Sequence, residues 1–541
     1  SGGTAPGAAP AGPVAAETLA RVTAAWTEVL GAEPAGPEAV FFTSGGTSLL
    51  AVRLAHTLRA DGFTVTLKDV FTHPTPAGLA QALAARRDAP ADHAPVPPVG
   101  PPGPEQEMLL GRGLSRVEDL SHTHVLTAEG PLDAERLRRA AEDVVRAHPA
   151  LTTAVRPDDT LGARLVPGAA DWYSSAEPAG TDPRQVVDAQ RARFDRAAGP
   201  LFAVSHLPGG AGEADRVVIG ASHLVIDGMS WGIVLADLAA AYRGEPLAAE
   251  RAGYAEHAAV VRALDPAPHA GYWRAQSAGA GQYRWRLDGP NTYAVERQFE
   301  VSVPLPPDGH GTLQAAALTA VARALGPWAP HAQPSVWLIG LGRDPLAALP
   351  DWDPDRAVGF YSAAHPFRVP LTGGPAEDDL RATVTALRGI PDSGKTFGLL
   401  GCAADPGLRA EFAAMDGPRV VVNHLGELTD PVDCSAGPFT ASAQTAATGN
   451  AEVEREVDVD IAVQVRDGHA VLRWLYNPDA VDAAAVEAAA EAAGRELRGL
   501  LAGESQDPGG LPGVTGVTEE SMERLFARLN RERRERQGEQ V

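Results

Sequence analysis

The sequence predicts a small all-α bundle joined through a proline-rich spacer to a large α/β unit, and three observations predict it. Leu19, Val22, Trp26, Val29 and Leu30 recur at helical spacing near the start. Residues 88–104 contain Pro90, Pro95, Pro97, Pro98, Pro101 and Pro102, the composition of an extended, semi-rigid spacer. From Glu105 to about Gly510, helical stretches alternate with β-rich ones, the pattern of an α/β fold. A chain of 541 residues is expected to hold two or more domains, at about 100–200 residues each.

Within the leading bundle, the first helix runs into a loop through Gly31, Pro34, Gly36 and Pro37. Leu49, Leu50, Val52 and Leu54 then mark a second helix, with Ser48 at its N-terminus. Free backbone N–H groups and the helix dipole favour an anion there, so a phosphodiester on the Ser48 hydroxyl would be well placed. Thr75-Pro76 has the pattern of an N-cap followed by a first-turn proline, opening a helix through Leu79 and Leu83 to Arg87.

Composition excludes several classes of function. The net charge is −23 with no basic cluster, which argues against a nucleic-acid partner. Cys402 and Cys434 are the only cysteines, too few for a disulfide framework or a thiolate metal cluster, and they suit a reducing cytoplasm. No long apolar run or signal peptide is visible, so no membrane partner is expected. The opening Ser-Gly-Gly without methionine reads as the start of a fragment, with residues 1–14 as a leader.

In the large unit, Asp133 to His148 and Thr312 to Leu325 read as helices, while Arg216 to Ile219 and Ser335 to Ile339 read as strands. The best candidate site is Ser222-His223-Leu224-Val225-Ile226-Asp227-Gly228-Met229-Ser230-Trp231. A strand through Val217, Val218 and Ile219 ends there, Asp227-Gly228 turns the chain, and Ser230 is expected to cap a helix carrying Ile233, Val234, Leu235 and Leu238. His223 then leaves a strand end at a turn. An imidazole with an unperturbed pKa of about 6.5 can accept or donate a proton there, although a satisfied structural histidine is the commoner use of such a position.

Two resemblances sharpen this reading. The run Phe41-Phe42-Thr43-Ser44-Gly45-Gly46-Thr47-Ser48-Leu49-Leu50, followed by Val70-Phe71-Thr72-His73-Pro74-Thr75, resembles a peptidyl carrier domain of nonribosomal peptide synthetases. That resemblance implies a four-helix bundle over 15–87, with phosphopantetheine covalently attached to Ser48 by a phosphopantetheinyl transferase and bearing an aminoacyl or peptidyl thioester. The segment at His223 is similar to the His-His-x-x-x-Asp-Gly motif of the condensation superfamily, and its Asp-Gly-x-Ser-Trp continuation resembles the epimerization branch. Gly271-Tyr272-Trp273, Val358-Gly359-Phe360-Tyr361, Gly389-Ile390-Pro391 through Phe397-Gly398-Leu399-Leu400, and Val422-Asn423-His424-Leu425-Gly426 agree with that branch.

The second resemblance implies a two-lobed chloramphenicol-acetyltransferase-like domain over 105–510. The N-lobe would cover about 105–285 and the C-lobe about 286–510, with a tunnel between them for the loaded arm. It implies inversion at the α-carbon of a carrier-bound residue, with His223 as one acid–base group and Asp227 mainly structural. Gly228, Ser230, Trp231 and Asn423 complete the motif positions. An adenylation domain upstream and a condensation domain downstream are the implied partners, with no metal and no nucleotide.

Three positions depart from the family pattern. The first motif histidine is Ser222, the tyrosine of Asn-Tyr-Leu-Gly is His424, and the motif glutamate is Ile339, which cannot transfer a proton at any pKa. Two functional readings follow: an altered but working site, where His223 acts with His424, water or the substrate itself in epimerization or an elimination, or a degenerate domain kept as a binding platform for the loaded carrier.

Other motifs are set aside. Asp308-Gly309-His310-Gly311 matches the missing motif by letters, but it precedes a helix instead of following a strand. Gly389-Ile390-Pro391-Asp392-Ser393-Gly394-Lys395-Thr396 fits the phosphate-loop pattern, but Leu380, Val384 and Leu387 predict a helix before it where that fold needs a strand. Glu452, Glu454, Glu456, Asp458 and Asp460 alternate with mostly apolar residues, as on the wet face of a strand. Within residues 511–541, Met522, Leu525, Phe526 and Leu529 form a stripe on a charged helix that packs back or docks a partner.

Overall fold

The computed structural model describes residues 13–30 and 33–41, single positions and short runs from 54 to 87, and 99–504 apart from short segments within that range. Ser48, the Asp308–Gly311 run, Cys434 and residues 511–541 lie outside the described residues. The chain divides into two compact units near Ala94.

In the leading unit, helices Pro13–Leu30 and Pro76–Arg87 share one core. Val22, Trp26 and Val29 are buried as their spacing predicts, while Leu19 and Leu30 pack at its margin. The Trp26 ring meets Phe41 edge-on, with centroids 4.9 Å apart. Thr75 Oγ1 accepts from the Gly78 N–H at 3.1 Å, which realises the expected cap. Phe41 and Leu54, on either side of the Ser48 motif, are both in the core.

The large unit holds two main sheets. In chain order the strands are β1 (Ser121–Ala128), β2 (Thr153–Asp158), β3 (Gly162–Pro167), β4 (Tyr173–Ser174), β5 (Phe202–Leu207), β6 (Arg216–Ser222), β7 (Arg297–Pro304), β8 (Ser335–Gly340), β9 (Ala363–Arg368), β10 (Val420–Glu427), β11 (Phe439–Ala441), β12 (Val459–Arg466) and β13 (His469–Tyr476). The N-lobe sheet has the order β11-β1-β6-β5-β4 and the C-lobe sheet the order β7-β13-β12-β10-β8-β9, while β2 and β3 form a hairpin. Helices Ala134–Ala147 and Gly228–Arg243 pack in the N-lobe core, and Leu313–Leu325 and Ala483–Glu504 in that of the C-lobe.

Two lobe boundaries need correction. Tyr283 and Trp285 lie in the C-lobe core, so that lobe begins before residue 286. More consequentially, β11 leaves the C-lobe and pairs with β1 in the N-lobe sheet, Leu126 opposite Ala441. The spacer also ends sooner than composition suggests. Gly100 bridges Leu165, Pro102 and Gly103 are buried, and Pro104 opens the helix Pro104–Gly111, because backbone bonds and apolar contact hold this stretch to the body.

Two local expectations also fail. Asp227, not Ser230, caps the helix Gly228–Arg243, its carboxylate accepting from the Ser230 N–H at 2.8 Å. The acidic run before β12 is not a wet strand face. Asp458 is fully buried near Arg286, and burial raises the pKa of both Asp458 and Asp460 against the pull of arginines. The phosphate-loop-like segment behaves as its context predicts: helix Ala376–Arg388 precedes it, and Lys395 pairs with Asp344.

Candidate active site

Between the lobes, β6 ends at Ser222 and a turn over His223–Val225 leads to Asp227. The apolar residues Leu224, Val225 and Ile226 anchor that turn in the N-lobe core, which fixes where the His223 ring emerges. The backbone N–H of His223 donates to the Leu120 carbonyl at 2.8 Å. Ser222 is fully buried, and its Oγ accepts from the Leu224 N–H at 3.3 Å, so it braces the turn.

Asp227 is the centre of a clamp between the lobes. Arg343 Nη2 donates to its Oδ1 at 2.9 Å and Oδ2 at 3.2 Å, and Arg343 Nη1 donates to the Ala357 carbonyl at 2.7 Å. The Tyr361 N–H donates to Asp227 Oδ2 at 3.1 Å. Ser230 Oγ lies 2.7 Å from Asp227 Oδ1 and accepts from the Gly359 N–H at 3.1 Å. Both charged partners are buried, at 2% exposure for Asp227 and 8% for Arg343. A desolvated pair of this kind persists because both carboxylate oxygens and both terminal guanidinium nitrogens find further partners. Glycine is required in the loops that meet here. Gly342 has φ of +65°, and a Cβ on Gly359 would stand 2.5 Å from the Tyr254 ring.

The clamp loop brings Phe360 to His223, with ring centroids 6.0 Å apart. On the other side, His122 of β1 meets His223 edge-on at 4.6 Å, and His124, two residues along the same strand face, lies 4.6 Å from Trp231. Burial holds the His223 imidazole below the usual histidine range, against a hydrogen bond to the Ile226 backbone and the charge of Asp227. Burial pushes His122 well below that range, with His223, His124 and Arg473 adding to the effect, and takes His124 down to about 4. All three rings are therefore neutral at pH 7 and can accept protons.

The C-lobe contributes a different wall. Register pairs Ile339 with Ala364 across β8 and β9, and aligns Asn423, Ala462 and Arg473 across β10, β12 and β13, while Val422 of β10 lies opposite Leu338 of β8. Val336, Leu338, Val422, Ile461 and Trp474, in the intervening positions, belong to the C-lobe core, so Ile339, Asn423 and Arg473 share the opposite face. Arg473 on this face is one of the charges that hold the His122 imidazole neutral. Ile339 is half-buried and supplies no proton-transfer group. His424 pairs with Val463, a core residue, just before a bulge at Gly426. Its Nε2 is buried without a hydrogen-bond partner, and burial takes its pKa down to about 4. Among the described residues, no ring contact, ion pair or hydrogen bond joins His424 to His223. Gly228 begins the helix after the clamp, and Trp231 is buried below His124.

His122, His124 and Arg473 are neighbours of the candidate site that the motif search passes over, and Arg343, which stands in the motif segment Ile339-Gly340-Leu341-Gly342-Arg343-Asp344, was given no role there. The two histidines had a legible signal, since Ser121-His122-Thr123-His124 places two imidazoles on one strand face; Arg473 needed the sheet register, and the pairing of Arg343 with Asp227 needed the lobe contact. Among the described residues, no group of His, Cys, Asp and Glu side chains could hold a metal, and no helix is long and apolar enough to cross a membrane.

Comparison with known proteins agrees with this architecture. Residues 116–507 match the condensation domain family, and residues 20–83 match the phosphopantetheine attachment site family. Chondramide synthase of Chondromyces crocatus is 28% identical over 92% of this chain, and surfactin synthase subunit 1 of Bacillus subtilis is 24% identical over 84%. The chain spans only 14% and 13% of those proteins. The epimerization domain from the third module of tyrocidine synthetase B superposes with a TM-score of 0.65 at 19% identity, covering 76% of this chain and 99% of that domain. The X-domain from teicoplanin biosynthesis gives 0.56 at 17% identity, covering 76% and 97%. These structures share the fold. A buried Asp–Arg clamp, a histidine at the strand end beside it and two family matches in series make one assignment: the chain belongs to the condensation domain family, preceded by a carrier domain of the phosphopantetheine attachment family, as in nonribosomal peptide synthetases.

Proposed function

We propose that the large domain carries out proton transfer at the α-carbon of an acyl residue held as a thioester on phosphopantetheine at Ser48, with His223 as the acid–base group. The observation that carries this reading is the placement of His223: a neutral imidazole at the lobe cleft, positioned by the Ile226 backbone and facing other neutral rings. The prosthetic arm supplies the thioester, which acidifies the α C–H. The protein's part is to hold that carbon at His223, exclude water and stabilise the enolate-like oxygen. The core positions of Phe41 and Leu54, which bracket the serine motif, fit a carrier built to present Ser48. The transferase that loads Ser48, an adenylation domain upstream and a condensation domain downstream are the partners this reading calls for.

Epimerization is the favoured reaction, and the Ile339 substitution shapes its course. With an apolar residue on the C-lobe face, one face of the α-carbon has a clear base and the other does not, so exchange with retention should outrun inversion. The degenerate reading, a platform that binds the loaded carrier without chemistry, is favoured by that same Ile339. Loading the full chain with L-aminoacyl and short peptidyl pantetheines in D2O, then releasing the acyl group for mass and chiral analysis, separates them. Deuterium uptake that His223→Ala abolishes supports catalysis, loss of a small molecule points to elimination, and no change with the native acyl group leaves the platform.

A further inference from the structure

A carboxylate–imidazole–carboxylate cluster lies in the N-lobe outside the chemistry assigned to His223. The helix Ala134–Ala147 ends at His148, which is fully buried. Its Nδ1 lies 2.7 Å from Glu250 Oε1 and its Nε2 lies 2.8 Å from Asp237 Oδ2. Carboxylate oxygens only accept, so a ring that satisfies both must donate from both nitrogens, and that ring is the imidazolium. Burial opposes the charge, but the hydrogen bonds to Asp237 and Glu250 prevail and raise the pKa.

Both carboxylates are also bonded to one short segment of the chain. Asp237 accepts from Arg356, Nη1 to Oδ1 at 2.8 Å and Nη2 to Oδ2 at 2.7 Å. Glu250 Oε1 accepts from the Val358 N–H at 2.9 Å. The next three residues reach the cleft. The Gly359 N–H donates to Ser230 Oγ, Phe360 meets the His223 ring at 6.0 Å, and the Tyr361 N–H donates to Asp227 Oδ2. An unbroken line of contacts therefore runs from His148 through Glu250 and Val358 to the ring that packs on His223.

Loss of one proton disturbs that line at a definite place. Neutral imidazole has a single donor, so one carboxylate is left facing a ring lone pair across at most 2.8 Å in a dry core. If Asp237 gives way, Arg356 moves with it; if Glu250 gives way, it withdraws from the Val358 N–H. Either response falls on residues 356–358. Arg356 keeps its charge in alkali, and burial and Glu250 hold the nearby Tyr361 phenol well above its usual range. His148 is thus the member of this cluster that changes charge first as pH rises.

We propose that His148 is a positioning residue: as an imidazolium it holds residues 356–361, through Glu250 and Asp237, in the place that sets Phe360 against His223. The inference rests on the reading of His223 given above, and one arm of its test does not depend on turnover. The full chain, labelled with 15N in its backbone and histidine rings, is titrated over about pH 6–10, and the His148 ring is followed with the amides of Val358, Gly359 and Tyr361. Exchange of the α-proton in D2O is measured over the same range with the acyl group that exchanges fastest, after subtraction of the His223→Ala background.

The three amides should shift with the midpoint of the His148 ring, and exchange should decline in alkali with that midpoint. Glu250→Gln leaves the ring one carboxylate, so it should move both midpoints down by about 1–2 pH units. His148→Gln should remove the alkaline step and hold exchange at the low level that the wild type reaches in alkali. A residue that served only stability would lower the rate without moving a midpoint. Amides that do not follow the His148 ring overturn the proposal, as does an exchange midpoint that Glu250→Gln leaves in place. If no acyl group exchanges at any pH but the amides follow the ring and move with it in Glu250→Gln, the His223 chemistry fails and the hold of His148 on residues 356–361 stands.

Discussion

The two walls of the cleft offer contrasting chemistry. The N-lobe wall offers three neutral imidazoles, His122, His124 and His223, two of them in ring contact. The C-lobe wall offers Ile339, Asn423 and Arg473, with a half-buried His424 that, among the described residues, has no ring contact, ion pair or hydrogen bond with His223. Between them the Asp227–Arg343 clamp has every charged partner in place. Holding two lobes together and moving a proton between them are therefore separable demands. The first is intact here, while the second rests on one side.

The largest effect that could break this comparison concerns access to the cleft. Ser48→Ala should abolish the mass increase from pantetheinylation, and full modification of that variant would remove the carrier assignment. Next in size, His223→Ala should lower α-proton exchange by about 10²–10⁴-fold, the usual scale of a general acid–base group, with carrier loading unchanged. The wild-type rate should stay level as pH falls from 8 through 6.5, because His223 titrates below its ordinary range, and should decline only at lower pH. A decline centred at about 6.5 or above would place another group in control.

The clamp gives the next effect. Asp227→Ala leaves Arg343 buried without its carboxylate and should destabilise the large unit by about 3–5 kcal/mol in chemical denaturation. Ile339→Glu sharpens the comparison directly: it restores a proton-transfer group to the C-lobe face and should raise inversion relative to exchange several-fold in the chiral assay. An unchanged ratio would mean that the far wall has no part in returning the proton.

The smallest expected effect lies away from the cleft. His148, fully buried, bridges Glu250 at 2.7 Å and Asp237 at 2.8 Å. Burial opposes its protonation, but hydrogen bonds to both carboxylates prevail and raise its pKa. A raised folded-state value means that its stabilisation is fully present below about pH 6.5 and is lost as pH rises through the folded pKa. The stability difference between wild type and His148→Gln should accordingly be constant in mild acid and shrink in alkali.

Much of this was legible in the sequence. Helical spacing located Val22, Trp26 and Val29 in the leading core, and the strand ending at His223 followed from its β-rich run and the Asp-Gly turn. Leu380, Val384 and Leu387 marked the helix that rules out a phosphate loop. What sequence could not supply was pairing between distant segments. Arg343 meets Asp227 across 116 residues, and Asp227 took the capping role assigned to Ser230 because a carboxylate can serve the helix and the guanidinium together. The acidic run was misread because alternation describes a strand only where one exists, and β12 begins at Val459, after most of those carboxylates.

The exchanged strand β11 also bears on synthesis. The N-lobe sheet takes its edge from residues that leave the ribosome after β7, β8, β9 and β10, so β1 stays unpaired along that edge while most of the C-lobe is made. Domains usually fold in the order of their synthesis, and pairing between remote segments is slow. This domain should mature only once both lobes have been translated. A chain cut before Phe439 would carry all three imidazoles and the whole clamp yet leave β1 exposed as a site for pairing with other chains.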